Sequence, residues 1–222
     1  MSKPKENAAK EALKHVSDGM VVGLGSGSTA AIFIDYLGEK ARLEEWDIKC
    51  VATSYDSRSL AVNAGLAVIG LDEAEKIDVA VDGADAVDGE KNLIKGYGGA
   101  LVREKIVDYA AAKFVCVVDG GKLKPVEGRI PVEVLPFAAP LVQKQVKEKY
   151  LVESKLRMGT GKCGPLTTDN GNWIIDAEFK HVEDPVTLEE ELDSIPGAVG
   201  NGIFTKNKPV VVIGKENGAE TL

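Results

Sequence analysis

Apolar residues recur along this chain in two rhythms. From Lys5 to Val16, the positions Ala8, Ala9, Ala12, Leu13 and Val16 follow helical spacing, which predicts one buried helix face. Asp18-Gly19 closes that helix, and Met20-Val21-Val22 begins a short apolar strand. The segment GLGSGST follows, and then a second helical pattern from Ala30 to Leu43. Ile48–Ala52 reads as a strand, with Ser54 as N-cap of a helix that Gly65 ends. Strands are expected again at Leu66–Leu71 and Ile77–Val81, a helix over Gly98–Lys113, and a strand at Phe114–Asp119. Unbroken apolar strands that alternate with amphipathic helices indicate βαβ units in a parallel sheet. The expected fold class is α/β, a Rossmann-like parallel sheet with helices on both faces. In such sheets ligands bind at the carboxyl ends of the strands.

The pattern changes near Lys124-Pro125. Val132–Pro136 is a strand that carries an acidic residue, and Ala138–Tyr150 is a helix rich in Lys and Gln. SKLRMG and NWIIDAEF form a hairpin with a polar turn, Thr168-Asp169-Asn170-Gly171-Asn172. Asp184 caps a helix that starts at Pro185 and runs to Pro196-Gly197. AVGNGIF is one more strand. This order, β-α-β-β-α-β, is the ferredoxin-like split pattern. It predicts a smaller inserted α+β domain at residues 127–205. Residues 1–126 and 206–222 then form the Rossmann-like domain, with Pro209–Gly214 returning to its sheet.

Composition narrows the function. The chain has 222 residues, 27 Lys+Arg against 35 Asp+Glu, and a net charge of −8. An acidic balance argues against nucleic acid as the partner, yet leaves room for a small phosphate at one local site. No run of apolar residues is long enough for a membrane span or signal peptide. Three cysteines cannot all pair, so a reduced, cytoplasmic setting is expected. Cys50 and Cys116 lie in apolar runs and read as core residues, while Cys163 lies in a polar stretch. With two histidines, a His-based triad or multi-histidine metal site has little to draw on.

Four clusters hold the candidate chemistry. In Gly23-Leu24-Gly25-Ser26-Gly27-Ser28-Thr29, glycines admit a ligand to the backbone, and the following helix offers unpaired N–H groups to an anion. Ser28 stands where a dinucleotide motif needs its third glycine, and no Gly-Lys-Ser/Thr follows to make a P-loop. In Asp82-Gly83-Ala84-Asp85, two carboxylates at the mouth of a buried strand are costly unless something uses them. A metal, sugar hydroxyls or proton transfer would each do so; Asp85 could instead simply cap the turn. Lys95-Gly96-Tyr97-Gly98-Gly99 opens a helix that carries Glu104, which alone would read as a solvated helix residue. Lys122 follows another strand end, where a cation suits an anion site. The set is coherent without a metal or cofactor. A carboxylate takes a proton beside a carbonyl and a lysine stabilises the enediolate. That chemistry suits isomerisation of a small phosphorylated sugar.

At these residues the sequence resembles the A-type ribose-5-phosphate isomerases, through GLGSGSTA, VDGAD, IKGYGGALVREKI, PVEVLP, TDNGNWIIDAEF, DPVTLEEEL and IPGAVGNGIF. The resemblance implies cofactor-free interconversion of D-ribose 5-phosphate and D-ribulose 5-phosphate by a homodimer or homotetramer. It implies that Glu104 is the base between C2 and C1. It makes Asp82 and Asp85 the groups that bind hydroxyls and help open the sugar ring, and Lys95 the stabiliser of the enediolate oxygen. Ser26, Gly27, Ser28 and Thr29 match the substrate loop, Gly83, Ala84, Gly96, Tyr97 and Gly98 join them as substrate-binding residues, and Lys122 matches a binding lysine. The chain departs from the family at Ala86, where Glu is usual, at Tyr97, where Gly is common, at Gly120-Gly121, where polar residues are usual, and at Ser26, where Thr is common. The competing expectations are a sugar-phosphate-sensing module of related fold, which could dispense with Glu104 and Lys95, and an amino-sugar-phosphate deaminase or CoA transferase on the same general fold.

Overall fold

The computed structural model describes residues 2–161 and 163–222. In chain order its first elements are α1 (Lys3–Ala12), β1 (Val21–Leu24), α2 (Ser28–Glu44), β2 (Lys49–Ala52), α3 (Tyr55–Asn63), β3 (Ala67–Val68) and β4 (Val79–Asp82). Next come β5 (Ala86–Val87), β6 (Leu93–Ile94), α4 (Leu101–Ala110), β7 (Phe114–Asp119), β8 (Gly128–Val134) and α5 (Ala139–Tyr150). The last are β9 (Ser154–Leu156), β10 (Trp173–Phe179), α6 (Pro185–Asp193), β11 (Ala198–Asn201), β12 (Ile203–Phe204), β13 (Val210–Lys215) and β14 (Gly218–Thr221).

The chain forms two compact units. The first comprises the residues up to Ala84, Arg103–Leu123 and Lys206–Leu222. Its seven-stranded sheet has the order β14-β13-β7-β4-β1-β2-β3, parallel throughout except for β14. On one face, Val22, Leu24, Val79, Val81, Val115 and Val117 pack with Ala8, Ala9 and Ala12 of α1 and Phe33, Ile34 and Leu37 of α2. On the other, α4 comes so near that a β carbon at Gly23 would meet Val107 Cγ1 at 2.6 Å. Alternation of large and small residues along β1 thus seats helices on both faces.

The second unit comprises Asp85–Val102 and Lys124–Thr205. Its four-stranded antiparallel sheet has the order β11-β8-β10-β9. Numbered within the β-α-β-β-α-β run, that order is 4-1-3-2, as a ferredoxin-like split fold requires. Ile130, Val132, Val134, Ile175 and Ala177 pack against Val142 and Val146 of α5 and Leu188 and Leu192 of α6. The cap of α6 forms as its sequence predicts, with Asp184 Oδ1 accepting from the N–H groups of Val186 and Thr187, both at 3.1 Å.

Several boundaries differ from the sequence reading. Residues 85–102, assigned above to the parallel-sheet domain, group with the second unit because β5 and β6 form a small sheet with β12. AVGNGIF, read as one strand, is two: β11 joins the four-stranded sheet and β12 the three-stranded one. The break falls at Gly202, where a β carbon would meet the Lys95 carbonyl oxygen at 2.4 Å. The helix expected over Gly98–Lys113 is only Leu101–Ala110. Gly99 stays at φ +87°, and Ala111 leaves the helix to bridge Ile77. Leu66–Leu71 keeps just two strand residues, at the sheet edge. No helix among the described residues is long and apolar enough to cross a membrane.

Candidate active site

In the first unit, the carboxyl ends of the adjacent strands β7, β4, β1 and β2 carry most of the chemistry the sequence singles out. The loop after β1 runs from Gly25 to Gly27, and α2 begins at Ser28. Gly27 has φ +99°, a conformation that L side chains rarely adopt, and it turns the chain into a helix of 17 residues. Gly27 and Ser28 are exposed, whereas Ser26 and Thr29 are half-buried. The Ser26 hydroxyl is engaged within the unit: its Oγ lies 2.8 Å from Thr53 Oγ1 and 2.7 Å from Ser54 Oγ, both just past the end of β2. Ser54 caps α3 in turn, accepting from Ser57 N at 3.0 Å. Thus Ser26 anchors the loop, and Ser28 is its exposed hydroxyl residue. Lys5 of α1 donates to Ser28 Oγ at 2.8 Å. Nothing in the sequence around Lys5 marks it, because the packing of α1 brings it there from 23 residues away.

Asp82 is the last residue of β4 and is fully buried. Its Oδ1 accepts from the backbone N–H of Ser26 at 3.1 Å and of Gly83 at 2.6 Å. The two motifs are therefore joined directly. Gly25 permits this approach, since a β carbon there would lie 2.1 Å from Asp82 Cγ and Oδ1. Lys122 ends the short turn Gly120–Lys122 after β7, a turn that Asp119 caps by accepting from Gly121 N at 3.0 Å.

Glu104 is only 5% exposed. It shares a buried face of α4 with Leu101, Val107 and Asp108, at the i−3, i+3 and i+4 positions. The expectation of a solvated residue, taken from the helix alone, fails because α4 turns this face inward. Its neighbour Arg103 instead lies over the Tyr55 ring at 4.7 Å and lines a cleft of about 400 Å³ with Ser54, Tyr55 and Arg58.

The second unit holds the remaining groups. Lys95 is 2% exposed, donates its N–H to Gly202 O at 2.8 Å, and places Nζ 5.5 Å from the centre of the Phe204 ring. Asp85 is half-buried, and its Oδ2 accepts from Tyr97 N at 3.0 Å. Gly96, between Lys95 and Tyr97, has φ +97°. The Arg129 guanidinium sits 3.9 Å from the centre of the Tyr97 ring. Burial raises the Tyr97 phenol above its ordinary pKa, and the charge of Arg129 opposes the shift. Among the described residues, no three His, Cys, Asp or Glu side chains gather to hold a metal ion.

The chain resembles known proteins over nearly its whole length. The family model for ribose 5-phosphate isomerase A (phosphoriboisomerase A) matches residues 49–218. The ribose-5-phosphate isomerase A of Thermococcus kodakarensis is 47% identical over 98% of this chain and 96% of its own. That of Pyrococcus abyssi is 48% identical with the same coverage. Among solved structures, the ribose 5-phosphate isomerase A of Methanocaldococcus jannaschii superposes with a TM-score of 0.94 at 45% identity, covering 98% of this chain and 97% of that one. A D-ribose-5-phosphate isomerase in complex with phospho-erythronic acid superposes at 0.95 with 44% identity, covering 100% and 99%. By sequence and by fold, the chain belongs to the ribose 5-phosphate isomerase A family.

Proposed function

We propose that this chain interconverts D-ribose 5-phosphate and D-ribulose 5-phosphate through an enediolate. The observation that carries the reading is the bond between the glycine-rich loop and the DGAD turn, Ser26 N–H to Asp82 Oδ1 at 3.1 Å. It couples an anion-binding helix start to a buried carboxylate, as a phosphorylated, hydroxyl-rich substrate requires.

The roles follow the family motifs. The N–H groups at the start of α2, the hydroxyls of Ser28 and Thr29, and the ammonium of Lys5 suit the phosphate. Lys122 supplies a further cation. Asp82 and Asp85 bind sugar hydroxyls and move O–H protons as the ring opens. In the open aldose, Glu104 takes the proton from C2 and the electron pair moves onto the carbonyl oxygen. Lys95 stabilises that oxygen. A proton passes from the C2 hydroxyl to the C1 oxygen, carried by the Asp82 and Asp85 carboxylates, and as the C2–O double bond forms Glu104 returns its proton to C1, leaving the ketose with no net redox change. The roles call for no cofactor.

The family resemblance also supports a homodimer or homotetramer, which sedimentation would distinguish. Free thiols at Cys50, Cys116 and Cys163 suit a reducing compartment. The reaction is tested by incubating ribose 5-phosphate with the protein and a chelator in deuterated water. Ketose that carries solvent deuterium at C1 is expected. Binding of the sugar phosphate without any ketose would overturn the reading in favour of a sensor.

A further inference from the structure

Two motifs from the sequence have no part in the mechanism above, SKLRMG and NWIIDAEF. They bring the side chains of Arg157 and Asp176 together in the second unit, although by register Asp176 lies opposite Lys155. We infer that Arg157, held by Asp176, is a positioning residue for the Lys95–Gly98 loop and, through it, for Asp85. The inference rests on the isomerase reading, which gives Lys95 and Asp85 their chemical roles.

The backbone of Arg157 is fixed first. Its N–H donates to Ile174 O at 2.8 Å, and its carbonyl accepts from Leu166 N at 2.8 Å. The guanidinium is then held by a bidentate pair, Nε to Asp176 Oδ2 at 2.9 Å and Nη2 to Asp176 Oδ1 at 2.5 Å. Both side chains are about one-eighth exposed, at 12% and 13%. That leaves Nη1 to face the loop, where it donates to Gly96 O at 2.8 Å and Tyr97 O at 3.2 Å. Lysine could not reproduce this, because the bonds use the planar fork of the guanidinium.

The partner of the Gly96–Tyr97 peptide group on its other side is Asp85. Arg157 holds the carbonyl of that peptide, and the Asp85 carboxylate holds its N–H at 3.0 Å. The peptide joins Gly96, at φ +97°, to Tyr97, and Gly96 directly follows Lys95. Glycine leaves such a peptide free to rotate. Without the cation, rotation of the peptide would release the Asp85 carboxylate and shift the Lys95 backbone together. A misplacement of about 1 Å at catalytic groups costs on the order of 10²-fold in rate.

The test separates positioning from simple stability. Arg157→Met leaves Asp176 as a buried charge and lowers stability, whereas Arg157→Met with Asp176→Leu removes the whole pair and spares the fold. We expect both variants to lose kcat by about 10–100-fold, with KM for ribose 5-phosphate within about threefold of wild type. The double variant should regain thermal stability without regaining kcat. A double variant with wild-type kcat would overturn the inference, and so would a raised KM at unchanged kcat. A second readout needs no turnover. Hydrogen exchange of the Tyr97 amide should quicken by about tenfold or more in the double variant, as expected when a half-buried hydrogen bond is released. Unchanged exchange would refute the clamp whatever the activity. Failure of the wild type to isomerise ribose 5-phosphate would instead sink the functional reading alone.

Discussion

Gly25→Ala is the substitution whose effect the structure defines most sharply. Gly25 does not have a positive φ, so the new methyl group brings no backbone strain. What it meets is Asp82, with Cγ and Oδ1 at 2.1 Å and Cβ at 2.5 Å. Ordinary contact begins at 3.4 Å, so the carboxylate must retreat by more than an ångström. It is fully buried at the end of a central strand, and retreat breaks at least its bond from Ser26 N. Losing a hydrogen bond to a charged group costs about 1.5–3 kcal/mol. Overpacking adds about 1–3 kcal/mol. Together they predict a loss of about 2.5–6 kcal/mol and, for a chain of this size, a melting temperature lower by about 5–24 °C. Displacing Asp82 should also slow turnover by about 10²-fold. Thermal unfolding followed by circular dichroism and initial rates on ribose 5-phosphate measure both effects. Gly89→Ala is the control, because its β carbon would meet nothing within 4 Å. If Gly25→Ala melts and turns over as Gly89→Ala does, the account of the Gly25–Asp82 approach is wrong.

Other consequences can be checked in the same preparation. Lys5→Met should raise KM for ribose 5-phosphate by about tenfold and change kcat little, since Lys5 meets the anion loop at Ser28 and none of the proton-transfer groups; steady-state rates decide it. Burial pushes the Cys50 thiol up to about 12, and Cys116 is buried, whereas Cys163 is exposed. A thiol reagent at pH 8 should therefore modify one thiol quickly and the other two only on unfolding. The Asp78 carboxyl is held below its usual range by Lys76 and by the backbone N–H of Val21. A depressed folded value means its contribution is present above about 3.9 and lost as pH falls through the folded value. Urea midpoints of wild type should thus fall more steeply than those of Asp78→Asn below about pH 4.

Much of the fold was legible because its signals are local. Continuous apolar runs announced β1, β4, β7 and β13, and the caps at Ser54 and Asp184 form as their sequences suggest. What was hidden depends on pairing across the chain. Residues 85–102 look like the tail of a βαβ unit until β12, about a hundred residues later, claims them as a sheet. The candidate site divides in the same way. Asp82, Asp85, Lys95 and Lys122 stand out because charges at strand ends beside glycines are conspicuous. Glu104 looked bland until α4 was seen to bury it. Lys5 and Arg157 gave no signal of their own, for each reaches its partners through packing that no short window contains.

The central claim is that Glu104 moves a proton between C2 and C1 of a pentose phosphate. Its most direct test is the rate of ribulose 5-phosphate formation by wild type and by Glu104→Gln, with chelator present and no cofactor added. Glutamine keeps the shape and removes the base, so the fold should persist while kcat falls by about 10²–10⁴-fold. A folded Glu104→Gln protein with near wild-type turnover would contradict the account.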